Sequence, residues 1–170
     1  MLFKHNRVNR YKEIKMNFYV TDTVKGADVP FENPAKGFYD ALGFDGMKEM
    51  MYRFYDCIYE SDIANFFPQD EEEFNIVKEK NTLFFIEICG GPKVYKESGD
   101  MELNEFMIRV HDDFSIYEKS RKEWLGCMKD TLENTDVADE LKESFWAYVE
   151  AFSKLTVNSF PQERKFESMH

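Results

Sequence analysis

Three polar side chains sit where the hydrophobic pattern of this chain calls for apolar ones. Asn81 falls in the middle of a stripe made by Phe74, Val77, Phe84, Phe85 and Ile88. His111 closes a stripe of Leu103, Phe106, Met107 and Val110. Trp124 lies one turn before Met128. A buried amide, imidazole or indole N–H costs roughly 1–3 kcal/mol unless a partner takes it up. Taken singly, each of these is ordinarily a core residue satisfied by a neighbour or a water. Taken together they offer hydrogen-bond donors and one nitrogen able to bind a metal. His111 is the sole internal imidazole, since His5 and His170 lie at the termini.

One histidine cannot build an all-protein metal cluster, which needs several His, Cys, Asp or Glu ligands. It does suffice when a cofactor supplies the remaining four ligands, as a porphyrin does. Other chemistry is poorly served. The signatures HEXXH, GxSxG, GxGxxG and the phosphate-binding loop are absent. Acids are plentiful, but they stand in solvated runs such as residues 70–73, and no inward-facing carboxylate pair is evident.

These side chains must be positioned by helices. Residues 45–60 place Met47, Met50, Met51, Phe54, Tyr55 and Ile58 on one face. Residues 71–88 follow an acidic run suited to a helix N-terminus and stop at Gly90, Gly91 and Pro92. Residues 101–111 form a short helix ending at His111. A fourth runs from about Ile116 to Leu132. The last starts at Thr135 or Asp136 as N-cap, with Val137, Leu141, Phe145, Tyr148, Val149, Phe152 and Leu155 as its stripe. Strand signals are weak, so the fold class is all-α. At 170 residues and 43% hydrophobic, the chain can fill one core. Its 17 Phe, 9 Tyr and 9 Met suit an interior that packs on itself or lines a slot for a flat apolar ligand.

The net charge of −11 argues against nucleic acid and against an anionic membrane surface. No apolar run approaches the roughly 20 residues of a membrane span. The first sixteen residues are basic but lack the apolar core of a secretory signal, which implies the cytoplasm. Residues 1–36 read as an arm, with an extended piece at 18–24, that straps the acidic body or docks a partner. Residues 161–170 read as a tail. Cys57, Cys89 and Cys127 are widely spaced and odd in number, and read as free thiols with at least two facing the core.

Over residues 37–160 the chain resembles the second group of truncated haemoglobins, in the globin superfamily. The resemblance rests on GFYDALG (37–43), RFYDCIY (53–59), FFP (66–68), GGPKVY (90–95), RVH (109–111), WLGCM (124–128) and KLTVNSF (154–160), in that order. The thirteen-residue step from His111 to Trp124 matches the family spacing. The resemblance implies a globin-like, truncated 2-over-2 helical sandwich around haem b, with an N-terminal extension. It implies His111 as the proximal iron ligand. It gives Tyr55, Asn81 and Trp124 as distal donors facing a small ligand. Phe67 matches the aromatic at the haem edge, and a segment one residue short leaves Phe66 as an alternative. Val77, Phe84 and Phe85 follow along the haem wall, and Tyr95 and Arg109 reach the propionates. Met107, Phe114 and Met128 complete the cofactor contacts. Two positions depart from the pattern. Val110 stands where the group usually has Arg, and Asn81 is shorter than the Gln often found there.

The implied function is binding of dioxygen, nitric oxide or carbon monoxide. Nitric oxide dioxygenation or peroxide handling is the candidate redox activity. No flavin or nicotinamide motif is evident, so electrons would come from a separate reductase. The protein is expected to be a monomer or homodimer. Two alternatives remain: a globin-like regulatory domain that has lost haem, and a haem-based sensor acting through the arm.

Overall fold

The computed structural model describes residues 16–161. Within them are five α-helices: α1 Lys36–Tyr59, α2 Glu71–Ile88, α3 Leu103–Val110, α4 Glu118–Glu133 and α5 Asp139–Thr156. Single 3-10 turns fill Ala64–Phe66 and His111–Asp113. There is no strand among the described residues. α1 packs on both α2 and α4, and α4 packs on α5, so two helix pairs face each other. This is the all-α, 2-over-2 sandwich expected.

Local chemistry explains the boundaries. Gly43 has φ +71° and kinks α1, which extends back to Lys36 beyond the expected start at residue 45. Past the kink, Met47, Met50, Met51, Phe54, Tyr55 and Ile58 are buried, as their three- and four-residue spacing requires. α2 begins at Asp70, whose carboxylate accepts the Glu73 backbone N–H at 3.1 Å, with Glu71, Glu72 and Glu73 at the positive end of the helix. It ends where Gly90 takes φ +89° and the Gly91 N–H donates to the Ile86 carbonyl at 2.9 Å. A Cβ on Gly91 would come within 2.7 Å of that same carbonyl oxygen, so the turn tolerates no side chain there.

The last helix starts at Asp139, later than the Thr135 or Asp136 cap expected. The Thr135 hydroxyl donates to the Thr131 carbonyl instead, closing the end of α4. A second correction concerns the cysteines. Cys57 on α1 and Cys127 on α4 are joined by a disulfide across the interface, and only Cys89 is a free, buried thiol. Sequence spacing offers no hint of this, because 70 residues separate the two.

The stretch from Met16 to Pro34 is extended but pairs with no strand. It lies along α4 and α5 and is held by their side chains. The Trp146 indole N–H donates to the Tyr19 carbonyl at 2.8 Å. Glu150 Oε1 accepts from the Thr21 backbone N–H and hydroxyl at 2.9 and 2.8 Å. Arg121, with a fully buried side chain, donates to the Thr21 carbonyl and is flanked by Glu118 at 2.7 Å and Glu150 at 3.1 Å. Burial raises both carboxyl pKa values. Hydrogen bonds from Arg121 at Glu118 and from Thr21 at Glu150, with the neighbouring positive charges, more than offset it, so both glutamates stay ionised. The basic positions Lys4, Arg7, Arg10, Lys12 and Lys15 lie outside the described residues.

A buried polar chain ties this strap to the helix that carries His111. The Tyr148 hydroxyl donates to Asn104 Oδ1 at 2.6 Å, and Asn104 Nδ2 donates to Asn33 Oδ1 at 2.8 Å. Tyr148→Phe leaves a buried amide oxygen without its donor, which costs about 1–3 kcal/mol. At this chain length that corresponds to a fall in Tm of roughly 2–4 °C per kcal/mol. Thermal unfolding followed by circular dichroism checks it, and an unchanged Tm would show that the link contributes nothing.

Candidate functional site

The residues singled out by sequence converge on one cavity of about 450 Å³. It lies between α1, α2 and α3 on one side and α4 and α5 on the other. His111 reaches it from the end of α3. Tyr55 comes from α1, Asn81 from α2 and Trp124 from α4. Four separate elements thus bring one imidazole and three hydrogen-bonding side chains to a common space. Val77, Phe84 and Phe85 line it along α2, and Phe66 and Phe67 both contribute from the loop before α2. Tyr95, Met107 and Phe114 complete the predicted set that lines the cavity.

Two predicted residues do not line the cavity. Arg109 is exposed and ion-paired with Glu105 at 2.8 Å, one turn away on α3. Met128 is fully buried among the helices, outside the cavity. Lys80 does line the cavity and was missed. Its signal was present in the sequence, since residue 80 follows Val77 by three and precedes Phe84 by four. Its amine stands 3.5 Å from Glu97, on the segment after α2. Arg121, Ser153 and Thr156 add a polar patch to the wall.

A larger groove of about 570 Å³ runs between the strap and α5. It is open and acidic, with Asp22, Asp28, Glu32 and Glu150 along it, and contains none of the predicted site residues.

The polar groups of the cavity are poised rather than consumed. His111 Nδ1 lies 2.7 Å from the Met107 carbonyl oxygen. A carbonyl only accepts, so this nitrogen carries the proton and Nε2 keeps its lone pair. Burial lowers the His111 pKa, opposed by the Met107 carbonyl and the Asp112 charge. The imidazole is therefore neutral at physiological pH, as metal ligation requires. Burial pushes the Tyr55 phenol well up, with the Asn81 side chain working the other way, so the hydroxyl keeps its proton to donate. Tyr95 is raised to about 12 by burial and by Glu97. The Trp146 indole is taken up by the strap, whereas the Trp124 indole N–H finds no protein acceptor among the described residues.

An apolar slot with aromatic walls, one free imidazole nitrogen and a group of uncommitted donors fits a porphyrin. Cationic Lys80 at its edge suits an acidic substituent. Within a 2-over-2 helical sandwich, such a slot defines a small globin.

Comparison with known proteins agrees. Residues 37–158 match the family model described as bacterial-like globin. The group 2 truncated hemoglobin YjbI of Bacillus subtilis is 27% identical over 127 residues, covering 74% of this chain and 91% of that protein. Among solved structures, phosphate-bound Hell's gate globin IV superposes with a TM-score of 0.71 at 26% identity, over 82% of this chain and 86% of the other. The group II 2-on-2 hemoglobin of Agrobacterium tumefaciens gives 0.63 at 25% identity, over 72% and 95%. This chain belongs to the bacterial-like globin family, and its relatives there are group II truncated haemoglobins. Its cofactor is haem b.

Proposed function

We propose that this chain binds dioxygen, with nitric oxide and carbon monoxide as further ligands, at a haem held through His111. The observation that carries the reading is the state of the His111 ring. Its Nδ1–H is committed to the Met107 carbonyl, which orients the imidazole and leaves Nε2 for iron. When bound, haem supplies reversible ligand binding at ferrous iron and one-electron exchange.

The protein's own residues do the tuning. Phe66, Phe67, Phe84 and Phe85 line the cavity and would exclude water from the bound ring. Lys80, released from its 3.5 Å pairing with Glu97, and Tyr95 would hold the propionate edge. Tyr55, Asn81 and Trp124 present donors to a ligand that gathers negative charge, and preorganised donors slow its escape. That favours redox chemistry on the ligand, either nitric oxide dioxygenation or peroxide reduction, over bulk delivery. Electrons would come from a separate reductase. We assign residues 37–160 as the haem domain, 1–36 as its arm and 161–170 as its tail. Among the described residues no helix is long and apolar enough to cross a membrane, and we place the protein in the cytoplasm.

Absorption spectra of the ferric, ferrous and carbon monoxide forms test the binding reading. A Soret band that shifts with carbon monoxide supports it. A protein that stays colourless after haemin addition ends it. Nitric oxide consumption by the ferrous oxygenated protein tests the redox activity.

A pH dependence follows from the lowered His111 pKa. In the unfolded chain the imidazole binds protons below about pH 6.5. In the folded protein it resists protonation further down, so falling pH favours the unfolded, haem-free state. Haem should be retained at pH 7 and above and be released as pH drops below the ordinary imidazole range. A Soret titration checks this, and unchanged retention down to the carboxylate range would contradict it.

A sensor reading has one observation in its favour. Arg121 lines the cavity and also holds the Thr21 carbonyl of the strap. Ligand-dependent proteolysis of the strap would support it, and identical digestion in both states would oppose it.

A further inference from the structure

We propose that Cys57 and Cys127 form a redox couple whose state sets how firmly the cavity donors hold a ligand. The inference deepens the reading above and rests on it, because it assumes that Tyr55 and Trp124 face the ligand.

The argument starts from where the sulfur atoms lie. The disulfide joins α1 to α4, with the Cα atoms 5.7 Å apart, inside the range a disulfide spans. Each cysteine is one helical turn from a residue of the same seam. Phe54 precedes Cys57 by three, and Trp124 precedes Cys127 by three, which puts each pair on one helix face. The two aromatic rings meet edge-on, with centroids 5.2 Å apart. Phe54 also meets the Tyr55 ring at 5.0 Å. The crosslink, the Trp124 donor and the Tyr55 donor therefore share one interhelical contact.

Breaking the bond alters that contact. Two unbonded sulfur atoms must stand at van der Waals distance, roughly 1.5 Å or more further apart than bonded ones. With Cys127 buried and Cys57 half-buried between packed helices, the separation is met by the helices parting at the seam. Hydrogen bonds from Trp124 and Tyr55 depend steeply on distance and angle, so a shift of this size weakens them. The oxidised form holds ligand longer, and the reduced form releases it sooner. In a reducing compartment, disulfides that do form are mostly transient and redox-sensing.

The chemistry closes with ordinary thiol exchange. A thiolate of a small dithiol attacks one sulfur of the pair, breaking the Cys57–Cys127 bond and forming a mixed disulfide. Its second thiol then attacks the reagent's own sulfur in the mixed disulfide, releases the cysteine held there, and the reagent leaves as a cyclic disulfide. Two electrons and two protons pass to the protein, giving two thiols. A small oxidised disulfide reverses the sequence. Cys57, the less buried of the two, marks the side of entry. Cys89, buried and unpaired, takes no part.

The test uses the full-length ferrous haem protein, treated with excess oxidised glutathione or with dithiothreitol and then desalted. Alkylation in denaturant followed by intact mass should show one free thiol after oxidation, that of Cys89, and three after reduction. Dioxygen dissociation, measured by displacement with carbon monoxide, should be about fivefold faster in the reduced protein, the equivalent of weakening one hydrogen bond. The double variant Cys57→Ser with Cys127→Ser should dissociate like the reduced protein and ignore the reductant. The indole N–H resonance of Trp124, assigned with Trp124→Phe, should move with the bond, while that of Trp146 stays in place. Three alkylated thiols after oxidation overturn the couple. A bond that forms without moving the Trp124 resonance overturns the link to the seam. A resonance that moves while dissociation stays within twofold overturns the link to the ligand, and locates the error in the donor reading.

Discussion

Replacing His111 with alanine should strip the protein of haem while leaving its helices intact. His111 is half-buried in a single turn at the end of α3, and the one hydrogen bond of its ring goes to a carbonyl of α3 itself. Removing the ring therefore opens no large gap in the core. It does remove the imidazole nitrogen proposed to bind iron. Loss of a partner that only orients a metal ligand costs roughly ten- to hundredfold in metal affinity. Loss of the ligand itself should exceed that, with haem transfer to an acceptor globin faster by on the order of a hundredfold or more. Helicity should stay near wild type, and added imidazole should partly restore the spectrum by filling the vacated space. A variant that keeps its haem and its ferrous spectrum would show that the iron is held from another wall. Tyr55 and Lys80 would then need testing in turn.

Much of this site was legible because globin cavities reuse the grammar of helix faces. The stripe that carries Val77, Asn81, Phe84 and Phe85 faces a slot instead of a neighbouring helix, yet the spacing is the same in either case. Only the intrusion of an amide signalled the difference. His111 stood out because so few imidazoles compete with it. Arg109 shows where a resemblance carries a residue too far. It sits two residues from His111, and the likeness to truncated haemoglobins made it a candidate for a propionate contact. On a helix, however, two residues are about 200° apart, and Arg109 points to solvent and Glu105. Lys80 was overlooked for the converse reason: a lysine reads as surface, although its long apolar stem allows it to edge a greasy slot. The Cys57–Cys127 pairing belongs to tertiary geometry alone. Nothing in a chain with three scattered cysteines says which two will meet where α1 crosses α4.

Removing the Trp124 indole N–H should speed dioxygen dissociation by on the order of ten- to hundredfold, the range expected when a hydrogen bond to a charged group is lost. Trp124→Phe is the informative change, because a phenyl ring can keep much of the edge contact with Phe54 while offering no donor. Tyr55→Phe makes the same test on α1, where the ring packs against Phe54, Phe67 and Phe74 through contacts that need no hydroxyl. The two effects should differ in their dependence on Asn81. The Asn81 side chain acts on the Tyr55 hydroxyl against the effect of burial, so Tyr55→Phe combined with Asn81→Ala should cost less than the sum of the single changes. Trp124→Phe, on a separate helix, should combine almost additively with Asn81→Ala. Carbon monoxide gathers little negative charge and should respond far less than dioxygen in every variant, which separates loss of a donor from simple loosening of the cavity. Rates for all three single variants within twofold of wild type would mean that the donors do not reach the ligand. A loosened cavity would instead speed both gases alike, since steric hold does not distinguish a polar ligand from an apolar one.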